Sequence, residues 1–246
     1  MSGAAVERDG EGIGVIIAID GPAGAGKSTV GRAVASRLGL GYLDTGAMYR
    51  GVTHAVLRRG VEPSDLDAVA DVVAEVELHV GPPLDGRHGE PTAGDIAPDI
   101  VVVDGEDATA AIRGREVTGA VSAVAANSAV RAEMVRRQRA WVADRRGGVI
   151  EGRDIGSVVF PDADLKLYVT ASARVRAERR VAEIGGDVDE VEASIIERDR
   201  KDSSRADSPL TEAAGSTVVD TTGMTIVEVV DHVLAMLPAS RRAEAE

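Results

Sequence analysis

The segment from Val15 to Thr29 constrains this chain more than any other part of its sequence. It consists of VIIAIDGPAGAGKST, a short apolar run that ends at Asp20 and is followed by three glycines, a lysine and two hydroxyl residues. The spacing from Gly21 to Ser28 fits the phosphate-loop pattern G-x-x-x-x-G-K-[ST]. Residues 27–38 contain no proline and place apolar side chains at helical spacing. The segment therefore predicts a buried strand, a tight loop and a helix.

The predicted loop has the chemistry of an anion site. Its glycines let successive backbone N–H groups turn inward, and the start of the helix adds its positive end. We expect Lys27 to bring a full positive charge to the β- and γ-phosphates of ATP, and Ser28 to ligate Mg²⁺. The residues expected to bind ATP are Gly21, Pro22, Ala23, Gly24, Ala25, Gly26, Lys27, Ser28 and Thr29. A glycine-rich turn before a helix is the alternative, and the loop alone does not identify the reaction.

The composition excludes several classes of protein. A net charge of −13 argues against an extended groove for a nucleic acid polymer, because polyanions require a positive field. There is no Cys, so neither disulfides nor Cys-based zinc sites are expected. No run of 18 apolar residues is present, and residues 1–14 lack the design of a signal peptide. We therefore expect a cytoplasmic protein without a membrane span, with residues 1–14 as a disordered tail.

The order of the elements predicts the fold class, α/β. Candidate core strands alternate with helices and cover residues 15–20, 40–43, 148–151, 165–169 and 217–220. Such alternation is typical of a parallel sheet with helices on both faces. Ligands of these sheets bind at the carboxyl ends of the strands, where all the motifs discussed here fall.

The sequence Asp44-Thr45-Gly46 allows two interpretations. It matches the D-T-G of aspartic proteases, but those enzymes need two such carboxylates. The most similar segment elsewhere in the chain, at residues 220–223, has an extra residue, which argues against a protease. The other interpretation is a contact to a substrate phosphate. Thr45 would then be the N-cap of the following helix, with Tyr49 and Arg50 one turn later.

An inserted lobe is expected between the second and third core strands. Residues 63–73 have a helical pattern, residues 75–80 alternate like a strand, and residues 81–98 hold four Pro and four Gly and indicate a loop or hairpin tip. The segment IVVVD at residues 100–104 resembles a second NTPase signature, a strand that ends in a magnesium-linked Asp. We favour an ordinary edge strand instead, because the segment falls in the inserted lobe.

The rest of the chain is predicted to form two pairs of helices and then a strand followed by a helix. Helices are expected at residues 116–126 and 129–145, and the arginines of the second, among them Arg136, Arg137 and Arg139, are expected on a solvated face. Helices at 172–184 and 188–201 form a densely charged hairpin with a thin apolar stripe, which we expect to be a mobile lid. The last strand, 217–220, precedes a helix at 225–237.

Four motifs in this order carry a resemblance to a known family: GPAGAGKST, LDTGAMYR, GRDIGSVVFPDA and ERDRKDSSRADSPL. Together they resemble the bacterial-type cytidylate kinases, a family of nucleoside-monophosphate kinases, from about Val15 to Leu237. The resemblance implies a P-loop NTPase-type parallel five-stranded sheet flanked by helices, an inserted lobe with a small antiparallel sheet, and a helical lid. The implied division is a core of residues 15–62, 132–171 and 207–237, a monophosphate-binding lobe of residues 63–131, a lid of residues 172–206, and tails at 1–14 and 238–246.

The resemblance also implies a reaction and a role for each site residue. The γ-phosphoryl group of ATP would pass to CMP or dCMP in a monomeric, Mg²⁺-dependent enzyme of pyrimidine nucleotide metabolism. Lys27, Arg153, Arg179 and Arg205 would be the catalytic cations, with Arg179 reaching ATP from the lid. Thr45, Tyr49 and Arg50 would lie against the acceptor, Arg153 and Arg205 on its phosphate, Ser122, Arg131 and Asp154 on cytosine, and Arg198 and Asp202 on the sugar.

The chemistry of cytosine agrees with this allocation. Asp154 and Ser122 can accept from the exocyclic amino group of cytosine, and Arg131 can donate to N3 and O2. Uracil has an oxygen in place of that amino group, so Asp154 would face an unpaired acceptor. The departures from the family pattern are Ser28 where some relatives carry Gly, and Thr45 where Ser also occurs.

Three rival functions remain open at this point. One is a kinase for another small acceptor, such as UMP, AMP or a metabolite. Another is a GTP-dependent switch, which would require an N-K-x-D motif that the sequence does not contain. The third is an ATP-driven motor or transport subunit, which would require a Walker-type Asp on a core strand beside the phosphate loop.

Overall fold

The computed structural model describes residues 14–82, 99–204 and 210–237. The strands are β1 (Ile16–Asp20), β2 (Tyr42–Asp44), β3 (Leu78–Gly81), β4 (Ile100–Val103), β5 (Glu106–Asp107), β6 (Gly148–Gly152), β7 (Leu165–Thr170) and β8 (Thr217–Asp220). The helices are α1 (Lys27–Arg37), α2 (Thr45–Arg58), α3 (Leu66–Glu75), α4 (Arg115–Ala126), α5 (Ser128–Arg145), α6 (Ala173–Ile184), α7 (Val188–Ser203) and α8 (Ile226–Met236). Short helical turns cover Ala111–Arg113 and Ile155–Val159.

The main sheet is parallel and has the strand order β2-β6-β1-β7-β8. β1, which leads into the glycine-rich loop, is central, and its Ile19 lies opposite Glu151 of β6 and Leu167 of β7. The carboxyl ends of the strands consequently meet at one edge. The predicted α/β class and five-stranded parallel sheet are confirmed.

The two faces of this sheet support two buried clusters, because successive side chains of a strand point in opposite directions. Ile17 and Ile19 of β1 pack on one face with Val30 of α1 and Val233 of α8. Ala18 faces the other side, in a cluster built largely by α2, α3 and α5. The aliphatic composition expected for the core is found, since nearly all members of both clusters are Val, Ile, Leu or Ala.

A second sheet is antiparallel and has the order β3-β4-β5. Val101 and Val103 of β4 belong to the same buried cluster as Val52 of α2, so this sheet packs on the helix that follows β2. The expected inserted sheet is thus present. The expectation of an edge strand at residues 100–104 was wrong in one respect: β4 pairs on both sides and is central in its small sheet.

Several local features differ from expectation. The N-cap of α2 is Asp44, whose carboxylate accepts from the Ala47 N–H at 2.9 Å, so the prediction of Thr45 as N-cap was wrong. The Asp44 carboxylate is one residue earlier and satisfies the same orphan donor. The helix predicted at 63–73 begins later, after the N-cap Asp65. The hairpin tip expected at 81–98 falls almost entirely outside the described residues, as do both tails and Arg205.

The expectation of a uniformly solvated arginine face on α5 was wrong. Arg136 and Arg145 fit it, since both are exposed and bond to groups of α5 itself, Arg136 to Glu133 and Arg145 to the Trp141 carbonyl. Arg137 donates to the carbonyls of Val73 and Val76, and Arg139 to those of Val158 and Val159. These arginines therefore join α5 to neighbouring segments. Among the described residues, no helix is both long and apolar enough to cross a membrane.

Candidate functional site

The glycine-rich loop between β1 and α1 has the tight geometry expected of a phosphate loop. Gly21 has φ 144°, and a Cβ there would lie 2.0 Å from the Val169 carbonyl oxygen. Gly26 is left-handed, with φ 90°, and precedes the first helical residue, Lys27. The Lys27 ammonium is buried and donates to the Pro22 carbonyl at 2.8 Å. Burial, reinforced by the nearby Arg153, lowers its pKa, so a bound anion would relieve an unfavourable environment.

Ser28 and Glu151 meet beside this loop. The serine hydroxyl donates to Oε1 of Glu151 at 2.8 Å. Glu151 is the penultimate residue of β6, the strand next to β1. The Tyr42 hydroxyl lies beside its carboxylate and lowers its pKa, but Oε2 makes no hydrogen bond of normal geometry among the described residues. Burial and, next, the charge of Asp44 raise the pKa of Glu151. A buried carboxylate oxygen that makes no normal hydrogen bond, beside a hydroxyl, is a donor set that suits hydrated Mg²⁺, so these residues fit the expected metal.

Arg153 connects the loop to helix α7. Its Nη1 donates to the Gly21 carbonyl at 2.5 Å, and its Nε to the carboxylate of Asp202 at 3.1 Å. Asp202 is almost fully buried and also lies 4.0 Å from the Arg198 guanidinium. Three residues predicted for the acceptor site are thus brought together against the phosphate loop.

Asp154 and Arg131 form a buried ion pair in which the guanidinium donates to the carboxylate. Arg131 lies in the first turn of α5, and Asp154 is the second residue after β6. Both side chains are removed from solvent, so each charge depends on its partner. Together they present a donor and an acceptor side by side, which is the pattern that a polar base edge requires.

The start of α2 adds a second group of contacts. The Thr45 hydroxyl donates to the Glu151 carbonyl at 2.7 Å, which fixes α2 against the end of β6. Arg50 lies one and a half turns later and makes no ion pair within the described ranges. Burial lowers the pKa of Arg50. The charge of Asp44 raises this pKa, and the positive charges of Arg180, Arg113 and Arg153 lower it further. The positive charges of three other arginines therefore act on Arg50, and the electropositive field around it favours binding of a phosphate.

The helix α6 contacts the other side of the loop. Arg179 donates to the hydroxyl and the carbonyl of Thr221, at 3.1 and 2.9 Å. The Thr221 hydroxyl in turn donates to the Ala25 carbonyl at 3.1 Å. Arg176, which is buried, donates to the Ala23 carbonyl at 3.1 Å and pairs with Asp199 of α7 at 2.6 Å. The charged hairpin therefore contacts the phosphate loop directly through the buried Arg176 and, by way of Thr221, through the half-buried Arg179.

The remaining site residues are less tightly placed. Ser122 of α4 is half-buried and makes no side-chain hydrogen bond within the described residues, and Thr29 is exposed on α1. Tyr49 packs partly against the cluster that contains Val52. Arg205 lies outside the described residues. The roles predicted for these four side chains, like those of the other site residues, stay predictions.

Three residues of this region were not predicted from the sequence: Glu151, Asp20 and Arg176. The first two carried a weak signal. Glu151 is an acid inside an otherwise apolar strand, and Asp20 closes the apolar run before the loop. Arg176 was indistinguishable from its charged neighbours on α6. By contrast, Asp104, the acid considered for a metal, lies in the turn between β4 and β5, where it pairs with Arg59 at 3.1 Å.

Comparison with known proteins agrees with this geometry. The family model described as cytidylate kinase matches residues 17–239. A cytidylate kinase of Nocardia farcinica is 48% identical over 223 residues, which cover 89% of this chain and 91% of that protein. A cytidylate kinase of Mycobacterium avium is 46% identical, over 89% of this chain and 92% of that protein.

A longer relative shows the same region as one part of a larger protein. The bifunctional pantoate ligase/cytidylate kinase of Synechococcus sp. RCC307 is 46% identical over 90% of this chain but only 42% of its own length. The matches thus extend over the phosphate loop, the small sheet and the segment around Arg153 and Asp154. Since the family model spans nearly all of the described residues and the relatives from Nocardia farcinica and Mycobacterium avium match over most of their length, the chain belongs to the cytidylate kinase family.

Proposed function

We propose that this protein transfers the γ-phosphoryl group of ATP to CMP or dCMP, giving ADP and CDP or dCDP. The observation that carries the proposal is the hydrogen bond from Arg153 to the Gly21 carbonyl, because it holds the Arg153–Asp154 segment against the phosphate loop. A donor site and an acceptor site must lie side by side for direct transfer between two nucleotides. Family membership supports the same reaction.

On the donor side, the loop N–H groups and Lys27 bind the phosphates of ATP, and Arg179 approaches from α6. Ser28, with Glu151 behind it, would hold Mg²⁺. When bound, the ion would neutralise charge on the β- and γ-phosphate oxygens. The described residues include no group of three or more His, Asp or Glu that could enclose a metal. This agrees with a Mg²⁺ site completed by water and substrate phosphates.

On the acceptor side, the buried pair of Arg131 and Asp154 recognises cytosine, with Ser122 as a further partner of its amino group. Thr45, Tyr49, Arg50, Arg153 and Arg205 bind the acceptor phosphate, and Arg198 and Asp202 bind the sugar. UMP is rejected because its oxygen at position 4 would face the Asp154 carboxylate without a hydrogen to donate, and two buried acceptors facing each other are costly.

The chemical step requires no general base. The second pKa of a phosphate monoester is about 6, so the acceptor oxygen is already an anion at neutral pH. The protein therefore contributes alignment and positive charge, from Lys27, Arg153, Arg179 and Arg205. Closure of the hairpin of α6 and α7 would exclude water, which would otherwise hydrolyse ATP. This closure, the domain boundaries, a monomeric state and a cytoplasmic location stay predictions.

An ADP-release assay with the full chain tests the proposal across CMP, dCMP, UMP and AMP. We expect turnover with CMP or dCMP and a kcat/KM for UMP at least tenfold lower, since an unpaired buried polar group costs about 1–3 kcal/mol. Asp154→Asn should lose most CMP turnover. The exposed Asp71→Asn on α3 is the matched control and should keep it. Equal rates with CMP and AMP would refute the assigned acceptor.

A further inference from the structure

Asp20, the last residue of β1, makes an unusual pair of hydrogen bonds. Its carboxylate is 3% exposed and accepts from two successive backbone N–H groups, Ile155 at 2.8 Å and Gly156 at 2.7 Å. These amides open the helical turn Ile155–Val159. Unsatisfied N–H groups at the start of a helical turn need an acceptor, and a carboxylate at that end is electrostatically favoured. Asp20 therefore caps a turn that lies 135 residues away in the sequence.

The residue that would ordinarily cap this turn is Asp154, which occupies its N-cap position. Asp154 makes no side-chain capping hydrogen bond there. Its carboxylate instead pairs with Arg131. An N-cap Asp usually accepts from the N–H groups that follow it. Because Asp20 supplies that acceptor from β1, the Asp154 carboxylate is not needed as a cap and can pair with Arg131.

The same short segment is held on its other side as well. Arg153 donates to the carbonyl of Gly21, the residue that follows Asp20. Residues 153–156 are therefore attached to residues 20–21 on both sides of Asp154. Since Asp20 and Gly21 are also where β1 turns into the phosphate loop, one strand end fixes both the loop and the backbone of Asp154.

We propose that Asp20 is a positioning residue for the acceptor base: by capping the turn after Asp154, it keeps the Asp154 carboxylate free to bind cytosine. This proposal rests on the proposed function. It assigns a task to a buried acid that neither phosphate binding nor phosphoryl transfer uses. It also explains why the loop strand ends in an acid although phosphates bind directly after it.

Asp20→Asn is the informative variant, because it keeps the size of the side chain and removes one acceptor. An amide has a single oxygen, so one of the two N–H groups would face an NH₂ group. Asp154 then competes as a cap, and its carboxylate is withdrawn from the base. An unsatisfied buried amide corresponds to about a 10- to 100-fold effect. We expect KM for CMP to rise by about tenfold or more and KM for ATP to change by less than about threefold.

The test is steady-state kinetics of the full chain with CMP and UMP at saturating ATP, and with ATP at saturating CMP. The deciding quantity is the ratio of kcat/KM for CMP to that for UMP, which a general loss of stability would not move. We expect this ratio to fall in Asp20→Asn and to stay at the wild-type value in the exposed control Asp71→Asn. Asp20→Glu, which keeps both acceptors but displaces them, should lie between the two.

The outcomes distinguish a failure of the role given to Asp20 from a failure of the proposed base recognition. An unchanged ratio in Asp20→Asn, or an equal rise of KM for ATP and CMP, would overturn the role of Asp20 alone. If Asp20→Asn fails to fold, as judged by circular dichroism, Asp20→Glu is judged by the same ratio, and a wild-type value would refute the role. A wild-type enzyme without preference for CMP over UMP would overturn the base recognition itself, and this proposal with it.

Discussion

The hydroxyl of Ser28 donates a hydrogen bond of 2.8 Å to Oε1 of Glu151, across 123 residues of sequence. This contact joins the first turn of α1 to the end of β6, the neighbour of the central strand. It leaves Oε2 of the buried carboxylate without a hydrogen bond of normal geometry among the described residues. An acid at this place beside the phosphate loop is well placed to orient the hydration shell of Mg²⁺.

We therefore predict that Glu151→Gln lowers kcat by about 10- to 100-fold, as is typical when a group that orients a metal site is removed. KM for CMP should change little. A second measurement is the thermal stabilisation by ADP, which should depend less on added Mg²⁺ in Glu151→Gln than in the wild type. Glu62→Gln, at an exposed glutamate before α3, is the control. An unaltered Mg²⁺ dependence would contradict the assignment.

The buried pair of Arg131 and Asp154 should be strongly coupled. Removal of one partner leaves a buried charge, which costs about 3–5 kcal/mol of stability, whereas removal of both costs less than the sum. We predict this non-additivity for Arg131→Met, Asp154→Asn and the double variant, measured as free energies of unfolding in urea. The exposed pair of Arg174 and Asp189 is the comparison and should show a much smaller coupling. Additive effects at the buried pair would refute its coupling.

Arg176 should matter more than its neighbours on α6. Its guanidinium donates to the carbonyls of Ala23 and Ala171 and pairs with Asp199, so Arg176→Met would leave one buried and two half-buried acceptors without their donor. We predict a loss of roughly 2–3 kcal/mol in stability and a rise in KM for ATP that exceeds the rise for CMP. Arg174→Met, two residues earlier and half-exposed, is the control. Equal effects of the two variants would contradict the prediction.

Gly21 and Gly119 should respond oppositely to alanine. A Cβ at Gly21 would lie 2.0 Å from the Val169 carbonyl oxygen, at a φ of 144° that L-residues rarely adopt. Gly119 lies inside α4 with open space around it. We predict that Gly21→Ala abolishes or severely lowers stable folding, whereas Gly119→Ala stabilises by about 0.5–1 kcal/mol. Thermal denaturation of both variants measures the difference, and a neutral Gly21→Ala would contradict the geometry.

The sequence predicted those parts of the fold and the site whose signals are local. Strand β8 was predicted at its observed bounds, and the loop from Gly21 to Ser28 follows from a motif whose glycines and lysine are contiguous. Periodicity located α4 and α5 to within a residue or two for the same reason. Such elements are determined by neighbours in the chain, which a single sequence displays.

The missed features depend on partners that are distant in sequence. The cap supplied by Asp20 connects residues 135 apart, and the contact of Arg176 with Ala23 connects residues 153 apart. Nothing in the composition of α6 distinguishes Arg176, which is buried, from Arg174, which is exposed. Likewise, Asp44 and Thr45 are both acceptable N-caps, and only the hydrogen bond of Thr45 to the Glu151 carbonyl decides between them.

Asp20 also yields a prediction for the pH dependence of stability. Burial raises the pKa of Asp20 to about 6. The backbone N–H groups of Gly156 and Ile155 and the charge of Lys27 lower this pKa, and the charge of Asp154 raises it. Between the ordinary carboxyl pKa and 6, the folded chain holds a proton that the unfolded chain has lost, so stability falls as the pH rises. From pH 5 to pH 7 the wild type should lose about 1 kcal/mol relative to Asp20→Asn, which cannot titrate there. Urea denaturation of both proteins at the two pH values measures this difference. If the wild type instead gains stability relative to Asp20→Asn from pH 5 to pH 7, the two N–H groups outweigh burial.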